Sequence, residues 1–380
     1  MLGWAGILAI VLVALNLRPV MAVVSPLLAQ IQADIYLTDT MAGLLTTLPI
    51  LAMGVFALLG AYIQRFIAEN HGILAGTLII ALACFCRYWF DSGTALIVSA
   101  AVAGIGIALV QVLIPAFIKA YAPVQAGTLM GFYTTAIMTG AAISAAIAAP
   151  LAGVIGWQSL FIAIGIPALI AVVLWRRCTV KLPAIQKKAA VPLPVNSARA
   201  WLLMFFFGIG TGAFTLVLAW FSPYFMQLGL TATQSGLLLS GVTLCEVTAG
   251  LVISSLIHWF PDRRGVLLFI LLLLLAGLIM MIVSPLQLML AIAVCVGIGI
   301  GALFPLTLII AMDHAHNPDE AGALLGFVQG GGYILASITP FVAGVIREQV
   351  TDLTLAWQIM IVGVVAMMLL TLRLKPGSKL

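Results

Sequence analysis

Twelve long apolar blocks follow one another along this chain with little polar sequence between them, and that succession limits what it can fold into. A helix needs about 20 mostly apolar residues to cross a bilayer. The blocks cover residues 3–31, 40–63, 73–90, 94–120, 126–150, 157–176, 200–226, 233–258, 266–284, 287–312, 320–346 and 354–372. Only 7% of the 380 residues are charged, whereas soluble domains carry roughly 25%. A soluble globular enzyme, a disordered chain and a collagen-like chain are all excluded. The sequence predicts an all-α membrane protein with twelve transmembrane helices and the lipid bilayer as its surroundings. The first block is read as a span and not as a cleaved signal peptide. It has no basic lead, it is too long, and Arg18-Pro19 interrupts its middle.

The net charge of +5 would suit a nucleic-acid partner if the basic residues were clustered. They lie between the apolar blocks instead, so no nucleic-acid partner is expected. With both termini cytoplasmic, thirteen of the 16 Lys and Arg fall on the cytoplasmic side, among them Arg65, Lys119, Arg176, Arg177, Arg263 and Arg264. That asymmetry predicts a multi-pass inner-membrane protein with both ends inside. The segment from Asp313 to Glu320 is acidic and dissents from the pattern. The five cysteines form no disulfide framework by their number, and Cys84, Cys245 and Cys295 sit inside apolar blocks as small hydrophobes.

The chain also repeats itself. Ala42-Gly-Leu-Leu45 returns as Ser235-Gly-Leu-Leu238, and Gly104-Ile-Gly-Ile107 as Gly297-Ile-Gly-Ile300, both at an offset of 193. Ala126-Gly-Thr-Leu-Met-Gly-Phe132 returns as Ala321-Gly-Ala-Leu-Leu-Gly-Phe327 at an offset of 195. Six spans is an even number, so the duplicated units keep one orientation. The expectation is two parallel six-helix repeats, 1–176 and 200–380, joined by a cytoplasmic linker at 177–199 that is basic and contains Pro183, Pro192 and Pro194. Such a design carries its site at the interface of the halves near mid-membrane.

Arg18 lies about halfway along the first block, in Asn16-Leu-Arg-Pro-Val20. An arginine at the bilayer centre costs at least about 2.5–3.5 kcal/mol, so it must face a wet cavity or a partner. One reading is an anion anchor, because guanidinium stays charged and offers forked donors. The other is a structural pair with a carboxylate. Glu246, in Leu244-Cys-Glu-Val-Thr248, is the other deep charge. It is a candidate partner of Arg18, a cation ligand, a proton carrier or a structural hydrogen bonder. Gln111, Pro115 and Lys119 are spaced by four and share one helix face, as do Gln329 and Tyr333. Asn16, Gln111, Tyr133, Trp220, Gln329 and Tyr333 complete the candidate substrate-binding set with Arg18 and Glu246. Gly140, Ser144 and Ala148 read as a close-packing face. Arg87 is placed toward the outer end of its span, paired with Asp91. Asp313-His314-Ala-His316 reads as a solvated helix end or, more sharply, as a cytoplasmic gate contact through Asp313. Two histidines at i and i+2 diverge on a helix, so no metal is expected there, and no cofactor anywhere.

Taken jointly, these residues resemble the major facilitator superfamily and, within it, the cyanate permease and 2-nitroimidazole exporter family. The resemblance rests on Leu15-Asn-Leu-Arg-Pro19, Pro26-Leu-Leu28, Leu44-Leu-Thr-Thr-Leu-Pro49, Gln111 with Ile114-Pro115 and Ile118-Lys119, Phe304-Pro-Leu306, Asp313-His314 and Gln329-Gly330. It implies the major facilitator fold and a monomeric secondary transporter of a small anion or small polar organic solute, anchored by Arg18. The alternative is a proton-coupled drug exporter using Glu246, with protons as the coupling ion. The superfamily's Gly-x-x-x-Asp-Arg loop stands here as Gly60-Ala-Tyr-Ile-Gln64-Arg65, without the acid, while the second copy keeps Asp262-Arg263-Arg264-Gly265. Arg65, Asp262, Arg263, Asp313 and Glu246 are therefore the candidate gating and coupling residues.

Overall fold

The computed structural model describes residues 3–179, 192–315 and 318–374. Twelve helices in it are long and apolar enough to cross a membrane. The central part of the predicted linker, with Lys181, Pro183, Lys187 and Lys188, and also His316, lie outside the described residues. The first span consists of three pieces, α1 (Trp4–Leu15), α2 (Pro19–Ala22) and α3 (Val24–Asp34). The second is α4 (Asp39–Leu58), followed by the short α5 (Gly60–Phe66). Then come α6 (Glu69–Cys86), α7 (Gly93–Tyr121), α8 (Ala126–Ile155) and α9 (Trp157–Thr179). The second half holds α10 (Ala198–Gln227), α11 (Ala232–Leu256), α12 (Arg264–Val283), α13 (Met289–Asp313), α14 (Pro318–Val350) and α15 (Thr354–Thr371).

Side-chain caps start several of these helices. The Thr38 hydroxyl accepts from Met41 N–H at the start of α4, and Ser92 accepts from Ala95 N–H at the start of α7. Thr231 and Gln234 form a reciprocal capping box on α11. One expected boundary moves and one span is interrupted. Pro150 was read as the end of the fifth block, yet α8 runs on to Ile155 and stops at Gly156, whose φ of +81° suits glycine alone. Proline inside a membrane helix is tolerated because neighbouring groups satisfy the carbonyl it leaves free. The first block, which Arg18-Pro19 interrupts, is broken there. Pro19 has no N–H for the Leu15 carbonyl, Arg18 sits at φ −110° and ψ −27°, and the Asn16 side-chain amide donates to Leu12 O at 2.6 Å.

The sequence repeats return as matching packing duties. Gly43 of α4 approaches the Pro340 carbonyl of α14 so closely that a Cβ there would stand 2.5 Å from it. Its counterpart Gly236 of α11 meets the Ala145 carbonyl of α8 at 2.6 Å in the same sense. Each contact joins the second helix of one repeat to the fifth helix of the other. Van der Waals packing drives helix association in lipid, and small residues allow it. The outward faces are apolar, as bilayer contact requires: Val154, Val283 and Leu290 are each more than 70% exposed.

An even number of passes puts both described chain ends at one end of the bundle, here called the terminal end, and the other is the far end. At the far end α3 packs on α10 and α11, while α4 lies along α14 for its whole length, from Gly43 at the Pro340 carbonyl to Leu58 at Gly330 toward the terminal end. No comparable packing joins α7 to α13 at the terminal end among the described residues.

A candidate substrate site at the break in the first span

Arg18 stands at the helix break, as the residue before α2, and is 3% exposed. Its Nη1 points to the Met53 sulfur of α4 at 3.8 Å, and its guanidinium carbon lies 5.2 Å from the centre of the Phe214 ring of α10. Its Nε is buried with no hydrogen-bond partner among the described residues. Among the described residues no carboxylate oxygen lies within 4.0 Å of its nitrogens. Close packing sets this position: Gly140 of α8 abuts the Leu15 carbonyl, where a side chain would collide with the end of α1.

Tyr333, Tyr133 and Glu246 are the groups near enough to act on Arg18 electrostatically. They come from α14, α8 and α11, so both repeats contribute. Tyr133 and Tyr333 are 4% and 5% exposed, and Glu246 is 5% exposed. Among the described residues the Tyr133 hydroxyl and Glu246 Oε2 have no hydrogen-bond partner, and neither has Oε1 of the half-buried Gln111 on α7. Each unsatisfied buried polar group costs about 1–3 kcal/mol. Gly301 of α13 lets that helix press on the backbone of Glu246 and fixes its place. Tyr333 stands edge-on to Phe207, with ring centres 5.4 Å apart, and Gln329 lies one turn from it on the same helix face, half-buried. Direct pairing of Arg18 with Glu246 was one sequence reading; the two groups share an interior without an ion pair between them.

Two predicted site residues have other neighbours. Asn16 spends its amide on the helix break. Trp220 donates from its indole N–H to Pro340 O at 2.8 Å, and the Arg347 guanidinium lies 5.4 Å from its ring centre. It belongs to the far-end junction of α10 and α14. Met53, Phe214 and Phe207 escaped the sequence reading, since apolar residues within apolar blocks carry no mark of their own.

Of the predicted gating residues, the structure brings Arg263 and Asp313 together, Nε to Oδ2 at 2.7 Å. Both belong to the second repeat. Asp262 instead accepts from Arg264, whose Nε and Nη2 reach its two oxygens at 3.0 and 2.7 Å. Those hydrogen bonds hold the Asp262 carboxyl below the usual carboxylate range, so it stays ionised at neutral pH. The Arg65 guanidinium lies 5.8 Å from the Phe66 ring centre. His314 is not a solvated helix end: it is 4% exposed, with Nδ1 2.7 Å from Ile310 O and Nε2 3.3 Å from Arg199 Nη1. Arg87 does stand at the far end of its span, at the C-cap of α6, but Asp91 is not its partner. It is 1% exposed and bonded inward, because Ser99 and a main-chain carbonyl of the broken span lie within its reach, whereas Asp91 is exposed.

The far end carries polar contacts between the repeats. Arg347 Nη1 stands 3.5 Å from Asp39 Oδ1, an ion pair too long for a hydrogen bond. Gln32, of the same repeat as Asp39, donates to that same oxygen at 3.0 Å, and across the repeats the Thr40 N–H in the first turn of α4 donates to Glu348 Oε2 at 2.9 Å.

The sequence profile of the Major Facilitator Superfamily matches residues 7–340 and 200–379 of this chain. The cyanate transport protein CynX of Escherichia coli K12 is 32% identical over 379 residues, 97% of each chain. The 2-nitroimidazole transporter of the same organism is 29% identical over 380 residues, 96% of this chain and 92% of that one. The crystal structure of a D-xylose–proton symporter superposes on this fold with a TM-score of 0.81, covering 100% of this chain and 99% of that one at 14% identity.

Proposed function

The chain belongs to the major facilitator superfamily, whose members are membrane transporters and not enzymes, and from that premise we propose that it moves a small anion or small polar organic solute across the inner membrane by alternating access, with Arg18 as the anchor. The observation that carries this reading is the Arg18 guanidinium. It is buried, with no ion-pairing carboxylate among the described residues, with Nε unused there and Phe214 against its face. A forked cation in that setting suits a planar or linear oxyanion, and a solute arriving there regains hydrogen bonds that the protein leaves unmade. Tyr133, Tyr333 and Gln111 supply neutral polar groups around it, with Gln329 one turn from Tyr333 and Asn16 holding the break open.

The two relatives suggest the first probes. Protein reconstituted in liposomes should take up labelled cyanate, and Arg18→Lys should abolish most of that uptake while leaving the fold intact. Parent-level uptake by Arg18→Lys would end the forked-anchor reading.

Glu246 supports a second reading, proton-coupled export of a 2-nitroimidazole-type compound. Its buried Oε2 lacks a partner, and a buried carboxylate that gains and loses a proton is a common coupling device. Glu246→Gln separates the two readings, because only the second needs titration at this position.

In this scheme residues 1–176 and 200–380 are the two moving bundles and 177–199 their linker. The terminal end is cytoplasmic. The transporter works as a monomer. The gap between α7 and α13 is the path to the cytoplasm, with Arg65, Asp262, Arg263 and Asp313 bordering it, and Trp220 braces the closed far end.

A further inference from the structure

Arg87 is the second arginine inside the bundle, and transport by the scheme above makes no use of it. It follows α6, and one side chain there touches three other elements. Its Nε donates to Ser99 Oγ of α7 at 2.8 Å, and that hydroxyl donates on to Leu96 O at 2.6 Å. Its Nη1 donates to Val20 O at 3.0 Å, inside α2 of the broken first span. Its guanidinium carbon stands 4.5 Å from the centre of the Phe161 ring of α9. Its hydrogen-bond partners are all neutral. A buried charge held by neutral groups contributes less to stability than well-packed apolar residues of the same size would. What it supplies is direction, from a rigid planar fork bonded at two points.

The segment it grips has little rigidity of its own. α2 is four residues long, Pro19 and Pro26 remove two backbone donors from the span, and Val20 is only two residues beyond Arg18. We propose that Arg87 is a positioning residue for the solute anchor: by tying the Val20 carbonyl to α7 and α9 it sets where α2 stands, and thereby where the Arg18 guanidinium points.

The cyanate arm of the test rests on the anion reading, and the labelling arm does not. In proteoliposomes, Arg87→Met should raise the half-saturating cyanate concentration about tenfold, with a smaller change in maximal rate. Arg87→Lys keeps one donor for Val20 O and should fall between Arg87→Met and the parent; it also serves if Arg87→Met does not fold. In an Arg18→Lys background the further change from either substitution should stay under about twofold, since a group that acts through Arg18 has nothing left to position. Additive losses in the double variants would overturn the proposal, because a merely structural role predicts them. The second arm measures how fast phenylglyoxal modifies Arg18 in the purified full chain, by mass spectrometry, with Arg263 as internal reference. Arg87→Lys should change the Arg18 rate several-fold and leave Arg263 alone. If the parent does not carry cyanate, the substrate assignment fails and this arm decides: an unchanged Arg18 rate overturns the positioning role.

Discussion

The interior around Arg18 and the far-end junction of the repeats treat charge in opposite ways. At the far end Asp39, Arg347 and Glu348 have charged or polar neighbours, although Arg347 Nη1 makes no hydrogen bond. Asp39 receives Gln32 and lies beside Arg347, and Glu348 takes a backbone N–H from the first turn of α4. In the interior, Arg18 Nε, Glu246 Oε2, the Tyr133 hydroxyl and Gln111 Oε1 are buried with no hydrogen-bond partner among the described residues. The desolvation cost is larger in the interior, yet the satisfaction is poorer. A junction whose charged groups face a counter-charge or a donor across the repeats gains from staying closed. A chamber that leaves them open gains most when something polar enters. The contrast also separates two kinds of ion pair. Arg347–Asp39 joins the repeats and must part if they separate there, whereas Arg263–Asp313 lies within one repeat and can persist through such a motion.

The largest expected effect comes from the interior. Arg18→Lys keeps the charge but loses the fork. Charge-assisted hydrogen bonds are worth about 1.5–3 kcal/mol, so the half-saturating anion concentration should rise roughly ten- to a hundredfold. Solute uptake by proteoliposomes measures it, and a change below twofold would erase the contrast.

Glu246→Gln ranks next. In the anion reading the substitution removes a carboxylate that competes for Arg18, and anion affinity stays level or rises. In the proton-coupled reading gradient-driven movement stops while solute exchange continues. Uptake and exchange at two pH values, in liposomes with and without a proton gradient, tell these apart. Unchanged gradient-driven transport removes Glu246 from coupling.

At the far end, Asp39→Asn should have a moderate effect. Half-exposed ion pairs contribute about 0.2–1 kcal/mol, enough to shift a two-state balance by a factor between about 1.4 and about 5. Spin labels at Tyr36 and Val350, exposed residues on opposite repeats, should report a larger share of the far-end-open form. An unchanged distance distribution would deny the junction its latching part.

Asp313→Asn should do least. It breaks a contact of similar strength within one repeat, so the same spin labels should not move, and melting should shift by a few degrees at most. A shift in the label distances as large as that of Asp39→Asn would collapse the distinction between the two kinds of pair.

The halves also differ at the loop after their second helix. The second copy keeps Asp262 and Arg263, and Arg263 finds Asp313 at the end of α13. The first copy has Gln64 before Arg65, and at the end of α7 an exposed Lys119 in place of an acid. Two cations cannot form that pair, so the first repeat lacks the contact. The missing acid was visible in the sequence, but the partner that makes it matter in the second copy was not.

The number of spans, the duplication and the choice of Arg18 as a deep charge came from the sequence by itself. Transfer of apolar segments into lipid is a local quantity that composition expresses, and repeated glycines mark repeated close approaches. Which polar groups answer one another was decided by the tertiary structure alone. That the first span breaks, that Arg87 turns inward to Val20 and Ser99, that Glu246 stays unpaired near Arg18, and that Arg263 meets Asp313 all depend on which helix faces are brought together. Those faces lie tens to hundreds of residues apart in the chain, and a single sequence records each helix face but not its neighbour, because packing in lipid rests on shape, and shape belongs to the assembled bundle.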